Sequence, residues 1–171
     1  MESNRFQEEL IENACYRMDE SLRMINKSLL QMKEEDIWKR PNANSNSIGN
    51  LILHLCGNIS QYAISSLSGE TDTRNRDAEF EAFEGHTKGQ LVSKLEEVVR
   101  IAKATITEAS EPELLRVRKV QGYTFSRIGI IIHVLEHFSY HTGQIAFWVK
   151  QLINEQLGFY DGVDLNVLNE D

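Results

Sequence analysis

Apolar residues recur at spacings of three and four in four separate stretches of this chain, and that period confines the fold more tightly than any other feature. From Arg5 to about Met32 the series Leu10, Ile11, Ala14, Met18, Leu22, Ile25 and Leu29 marks one face of an amphipathic helix. Residues 33 to 46, with Pro41 and a run of Asn and Ser, read as a loop, and Ser45 or Ser47 can cap a second helix that runs to about Leu67. Its stripe is Ile48, Leu51, Ile52, Leu55, Ile59 and Tyr62. The polar stretch from Ser68 to His86, with Gly69 and Gly85, reads as a long connection. Thr87 with Gln90 fits a capping box opening a third helix, whose stripe is Leu91, Leu95, Val98, Val99, Ala102 and Ile106. Residues 113 to 123 alternate loosely and permit a short extended ribbon before Gly122. Thr124 can then cap a fourth helix, long and broadly apolar, to about Asn154. The acidic tail from Gln156 reads as a loose arm. The expectation is an all-α four-helix bundle with long connections: a single domain over residues 1–171, its core at about 5–154 and its tail at 155–171.

A length of 171 residues with 41% apolar and 26% charged residues suits a globular domain that needs no staples. The net charge of -8 repels phosphate backbones and anionic lipid, so nucleic acid and membrane surfaces are not expected partners. Cys15 and Cys56 lie apart with no CxxC spacing and read as reduced, packed thiols, which points to the cytoplasm. The start lacks a basic region followed by an apolar one, and no apolar run is long enough to span a bilayer.

The chemistry is concentrated in the fourth helix. His133, His137 and His141 recur every fourth residue, so they share a face, and neighbours in such a row can grip one divalent ion. His133 and His141 are about 12 Å apart along the axis and cannot share it. The pair is therefore His133 with His137 or His137 with His141. A third ligand must come from another helix, where His54 is the only histidine in a regular apolar segment; His86 sits in a polar loop. Three imidazoles leave a tetrahedral ion one open position, the pattern of catalytic zinc. The ferritin-like Glu-x-x-His motif and His-Glu-x-x-His are both absent.

The lone His54 in Asn-Leu-Ile-Leu-His-Leu, followed by His137 and His141 in His-Phe-Ser-Tyr-His-Thr-Gly-Gln-Ile, resembles the DinB-like (YfiT-like) superfamily of four-helix metal-dependent enzymes over about residues 5 to 154. The segment from Arg74 to Phe80 is similar to the Arg-x-Arg-x-x-Glu-Phe stretch of an uncharacterised branch related to bacillithiol transferases. The resemblance implies metal ligation by His54, His137 and His141, and so selects between the two pairs that spacing leaves open. It implies zinc, with nickel, manganese or iron as alternatives, and transfer of a low-molecular-weight thiol to an electrophile, or else hydrolysis of a small substrate. The residues do not choose between those reactions. The competing class is a helical binding or scaffold protein with an incidental metal site, or a homodimer held by an apolar bundle face.

Around the expected ligands, His133 reads as a packed or hydrogen-bonding neighbour. Gln144 shares the face of His141, and Asn50 and Asn58 flank His54 by four residues and could orient it. Glu136 lies about 100° round the helix and reads as a solvated carboxylate, and Cys56 as core. Arg74 and Arg76 could steer an anion, but charge runs in loops are usually solvated. Metal affinity should fall as pH drops through the ordinary imidazole range, since only the neutral ring binds.

Overall fold

The computed structural model describes residues 5–169. Four long helices surround one apolar core: α1 (Arg5–Gln31), α2 (Ile48–Ile59), α3 (Lys88–Thr107) and α4 (Arg127–Ile153). In α1 the buried positions Ala14, Met18, Ser21, Ile25 and Ser28 step by four and three, as one helical face requires. That face lies against α4, while α2 packs on α3 and also reaches α4. Leu55, Ile59, Leu91, Leu95, Ile130 and Phe138 fill the centre, each fully buried. No helix among the described residues is long and apolar enough to cross a membrane.

The cap of α2 is Ser47. Its hydroxyl accepts from the Asn50 amide at 3.1 Å while Asn50 Oδ1 accepts from the Ser47 amide at 3.1 Å, so two otherwise orphaned donors are satisfied reciprocally. Beyond Ile59 the helix continues through a π-helical turn, Ser60–Ser65, and ends at Ser66–Ser68, where Gly69 takes φ +84° as a left-handed terminator. The expected Thr87 and Gln90 capping box opens α3.

The expected ribbon before α4 is present, while the polar link, the cap of α4 and the tail differ from the sequence expectation. The polar stretch between α2 and α3 contains a short helix, Arg76–Glu81, which buries Glu79 against α2. The ribbon before α4 is an antiparallel hairpin, β1 (Val117–Val120) and β2 (Tyr123–Ser126). It turns at Gln121 and Gly122, both at positive φ, the backbone a two-residue hairpin turn demands. Thr124 therefore pairs with Lys119 in the hairpin, and the cap of α4 is Ser126, whose hydroxyl accepts from the Gly129 amide at 3.1 Å. The segment after α4 begins docked: Leu157 is buried, and the carbonyls of Leu157 and Phe159 accept from Gln31 and Arg23 of α1 at 3.1 Å each. Its apolar side chain and the polar side of α1 explain why the arm is not loose there.

Candidate metal centre

Two helices bring three imidazoles to one point. His54 comes from the buried side of α2, His137 and His141 from successive turns of α4, and one ligand nitrogen from each lies within 4.8 Å of the others. The ring centroids are 4.4 to 5.0 Å apart. Nε2 of His137 is 2.9 Å from Nε2 of His54. Two nitrogens holding one tetrahedral ion are about 3.3 Å apart, so this spacing suits a shared ion.

Hydrogen bonds on the far side of the rings set which nitrogen faces inward. Nδ1 of His54 is 2.9 Å from Oε2 of Glu79 and 3.1 Å from Nη2 of Arg74; the guanidinium nitrogen already donates to that carboxylate at 2.9 Å, so the shorter carboxylate contact assigns the proton to Nδ1 and leaves the Nε2 lone pair for the cluster. Arg74 grips the same carboxylate with two bonds, Nε to Oε1 at 2.7 Å and Nη2 to Oε2 at 2.9 Å, and donates through Nη1 to Gln61 Oε1 at 2.9 Å. Burial pushes the Glu79 carboxyl up, but the bonds from Arg74 and His54 outweigh it and hold the group below the usual carboxylate range. On α4, His141 Nδ1 donates to Gln144 Oε1 at 2.7 Å, which again leaves Nε2 free.

Burial favours the neutral form of His137 and His141. It pulls the His137 pKa down to about 3, with further lowering from the neighbouring histidines, and pulls His141 down to about 4 against the opposing hydrogen bond to Gln144. Three imidazole nitrogen donors, each aimed by its helix, fit a borderline divalent ion such as zinc.

The other residues singled out from sequence fall into place unevenly. Asn50 forms no hydrogen bond to the His54 ring; its Nδ2 donates to the carbonyls of Glu79 at 2.9 Å and Ala82 at 2.6 Å, so it pins the short helix that carries Glu79. His133 stacks on Tyr62 at 4.2 Å and on His137 at 5.6 Å and hydrogen-bonds none of the three clustered rings; its buried Nε2 has no partner among the described residues. Asn58 is buried with its Oδ1 likewise unpartnered. Glu136 and His86 are exposed, and Cys56 is core, its thiol pushed up to about 12 by burial. Arg74 departs most from expectation: its side chain is 4% exposed, an internal brace rather than a solvated loop charge.

Glu79 is the residue that sequence reasoning missed. It stands among other acids in a polar connection, and its only signal was the Arg-x-Arg-x-x-Glu-Phe spacing, which places Arg74 and Glu79 five apart. Gly57 makes the contact feasible, because a Cβ there would stand 1.9 Å from Glu79 Oε1.

The model of a family described as a protein of unknown function, DUF1572, matches residues 5–160. The chain belongs to the DUF1572 family. Among solved structures, a conserved protein from Enterococcus faecalis superposes with a TM-score of 0.72 at 16% identity, covering 84% of this chain and 97% of that one. The DinB-like protein YjoA from Bacillus subtilis gives 0.64 at 15% identity over 84% and 93%. A DinB-like protein from Bacillus cereus gives 0.68 at 11% over 88% and 94%. No curated protein matches the chain. This DUF1572 chain therefore has a DinB-like helical fold, and at such identities the likeness speaks for the fold alone.

Proposed function

We propose that His54, His137 and His141 hold one divalent metal ion, zinc first among the candidates, and that the protein is a metal-dependent enzyme acting on a small molecule. The observation that carries this reading is the chain Arg74–Glu79–His54: a buried carboxylate, itself held by a bidentate guanidinium, fixes the tautomer of an inward-facing imidazole. A helical scaffold has no use for that arrangement, since the buried ion pair costs desolvation that a hydrophobic pair would avoid.

An ion held by three neutral nitrogens supplies Lewis acidity and lowers the pKa of a water or thiol at its open position. The protein's own part is positional. Glu79 and Gln144 set the tautomers of His54 and His141, and Arg74 keeps Glu79 ionised. Phe80, 4.7 Å from the His54 ring, shields that side from water. Such a site serves thiol transfer to an electrophile, as the bacillithiol transferases of the superfamily carry out, or hydrolysis of a small substrate. The enzyme is expected in the cytoplasm, and a homodimer through an apolar helix face is compatible with it.

Elemental analysis of untagged protein tests the metal claim. The expected result is about one equivalent of a transition metal per chain, lost in His54→Ala, His137→Ala and His141→Ala; metal retained in all three variants overturns it. A substrate panel of thiols with electrophiles, and of small esters and amides, then tests the enzymatic claim. Turnover that requires the metal supports it, and metal without turnover across the panel favours the binding-protein reading.

A further inference from the structure

A cavity of about 410 Å³ adjoins the three-histidine cluster and shares His54 and His137 with it. Its lining contains two guanidinium groups, Arg74 and Arg76, and, among the described residues, no carboxylate. In a chain of net charge -8 that is a local reversal of sign. The two arginines are not equivalent. Arg74 is neutralised by Glu79, whereas Arg76 is exposed, forms no ion pair among the described residues and lies over the Phe80 ring at 4.7 Å. Its charge is free to meet a ligand.

The hairpin supplies the opposite character. Tyr123 and Phe125 of β2 stack at 5.8 Å, Phe125 on His133 at 6.1 Å and His133 on His137 at 5.6 Å, with interplanar angles of 16° to 22°. Near-parallel rings thus run from the exposed Tyr123 to a candidate metal ligand. The hairpin is fixed in that position by Tyr62, whose hydroxyl donates to Gln121 Oε1 at 2.9 Å. Asn58, buried and lining the same cavity, keeps an oxygen without a partner.

From this combination we infer that the cavity is the substrate subsite, and that it takes a small carboxylate with a planar apolar body: the carboxylate on Arg76, the body along the Tyr123, Phe125 and His133 stack, and a polar substituent within reach of Asn58. The inference rests on the metal-site reading for its catalytic meaning but not for the binding itself. A volume of 410 Å³ lies within the usual range for small-molecule sites. Free Arg76 provides the anion contact, and aromatic faces provide area at low entropic cost.

The test is calorimetric titration with benzoate and phenylacetate, on protein as purified and on protein stripped of metal by a chelator. Saturable binding at about 1 mM or tighter is expected in both forms, about tenfold weaker in Arg76→Gln and several-fold weaker in Tyr123→Ser. Both substituted residues are exposed, and thermal melts confirm that the variants fold. Neutral benzyl alcohol should bind at least about tenfold more weakly than benzoate, and inorganic phosphate should not match it. No saturable binding, binding unchanged in Arg76→Gln, or phosphate binding as well as benzoate overturns the inference. Benzoate bound only with metal present, indifferent to Arg76, places the anion on the ion and overturns it too. Metal absent from wild-type protein with Arg76-dependent benzoate binding intact would instead remove the metal reading and leave the subsite standing.

Discussion

Nδ1 of His54 lies 2.9 Å from Oε2 of Glu79, so a ring on α2 is aimed by a carboxylate 25 residues further along the chain. The connection between α2 and α3 is thereby part of the candidate site, and changes in it should be felt by any ion the three rings hold.

Glu79→Gln should lower metal affinity by about 10- to 100-fold, the usual cost of losing a carboxylate behind a ligating histidine. It also leaves the buried Arg74 without its counter-charge, and should lower stability by about 3 kcal/mol. Chelator competition and denaturant unfolding measure the two effects separately. Unchanged affinity in a folded variant shows that the bond does not tune the site.

Gly57→Ala tests the same contact from the other side. On an exposed helix face this change would stabilise by up to about 1 kcal/mol. Here the new methyl would overlap Glu79 Oε1, so the carboxylate must move. Loss of stability with weakened metal binding is expected; a stabilised variant with normal affinity contradicts the placement of Glu79.

Much of this was legible in the sequence because its physics is local. The four helices follow from apolar period, and the Thr87 box follows from two residues three apart. The row of His137 and His141 needs only helical geometry, although choosing that pair over His133 with His137 needed the family resemblance. What escaped depends on distant partners. Glu79 and Arg74 read as loop charges because their burial is decided by Gly57 and Asn50 on α2 and by Gln61 in the π-helical turn that follows it. Thr124 read as a cap because the hairpin that claims it is fixed by a turn at Gln121 and Gly122 and by Tyr62 across the cavity. Leu157 read as tail because its burial against the core depends on anchoring to α1 across more than a hundred residues.

Asn50→Ala should cost about 1 to 3 kcal/mol, since it removes the α2 capping box and the buried bonds to the Glu79 and Ala82 carbonyls. Metal affinity should weaken with it, less than in Glu79→Gln, because the short helix loosens while Arg74 still holds the carboxylate. Thermal melts and chelator competition read both.

The pH dependence differs from the ordinary imidazole expectation. The folded-state pKa values of His137 and His141, about 3 and about 4, lie below the unfolded value near 6.5. Below pH 6.5 the unfolded chain therefore binds protons that the native state refuses. Stability of the metal-free protein is full above that pH and is lost as pH falls toward 4, with a slope of up to about 1.4 kcal/mol per pH unit from His141. Unfolding midpoints at pH 7, 6 and 5 check the sign; a midpoint that rises on acidification contradicts it. At these two rings, proton competition with metal should set in below about pH 5 rather than near 6.5.

The central claim is that three rings share one ion, and an anomalous-scattering map of crystals of untagged protein, collected on both sides of the zinc absorption edge, tests it most directly. The account predicts one strong peak about 2.0 to 2.1 Å from Nε2 of His54, His137 and His141, with Glu79 still bonded to Nδ1 of His54. A peak on the His133 and His137 pair, or rings turned apart with no peak between them in protein that carries metal, would contradict it.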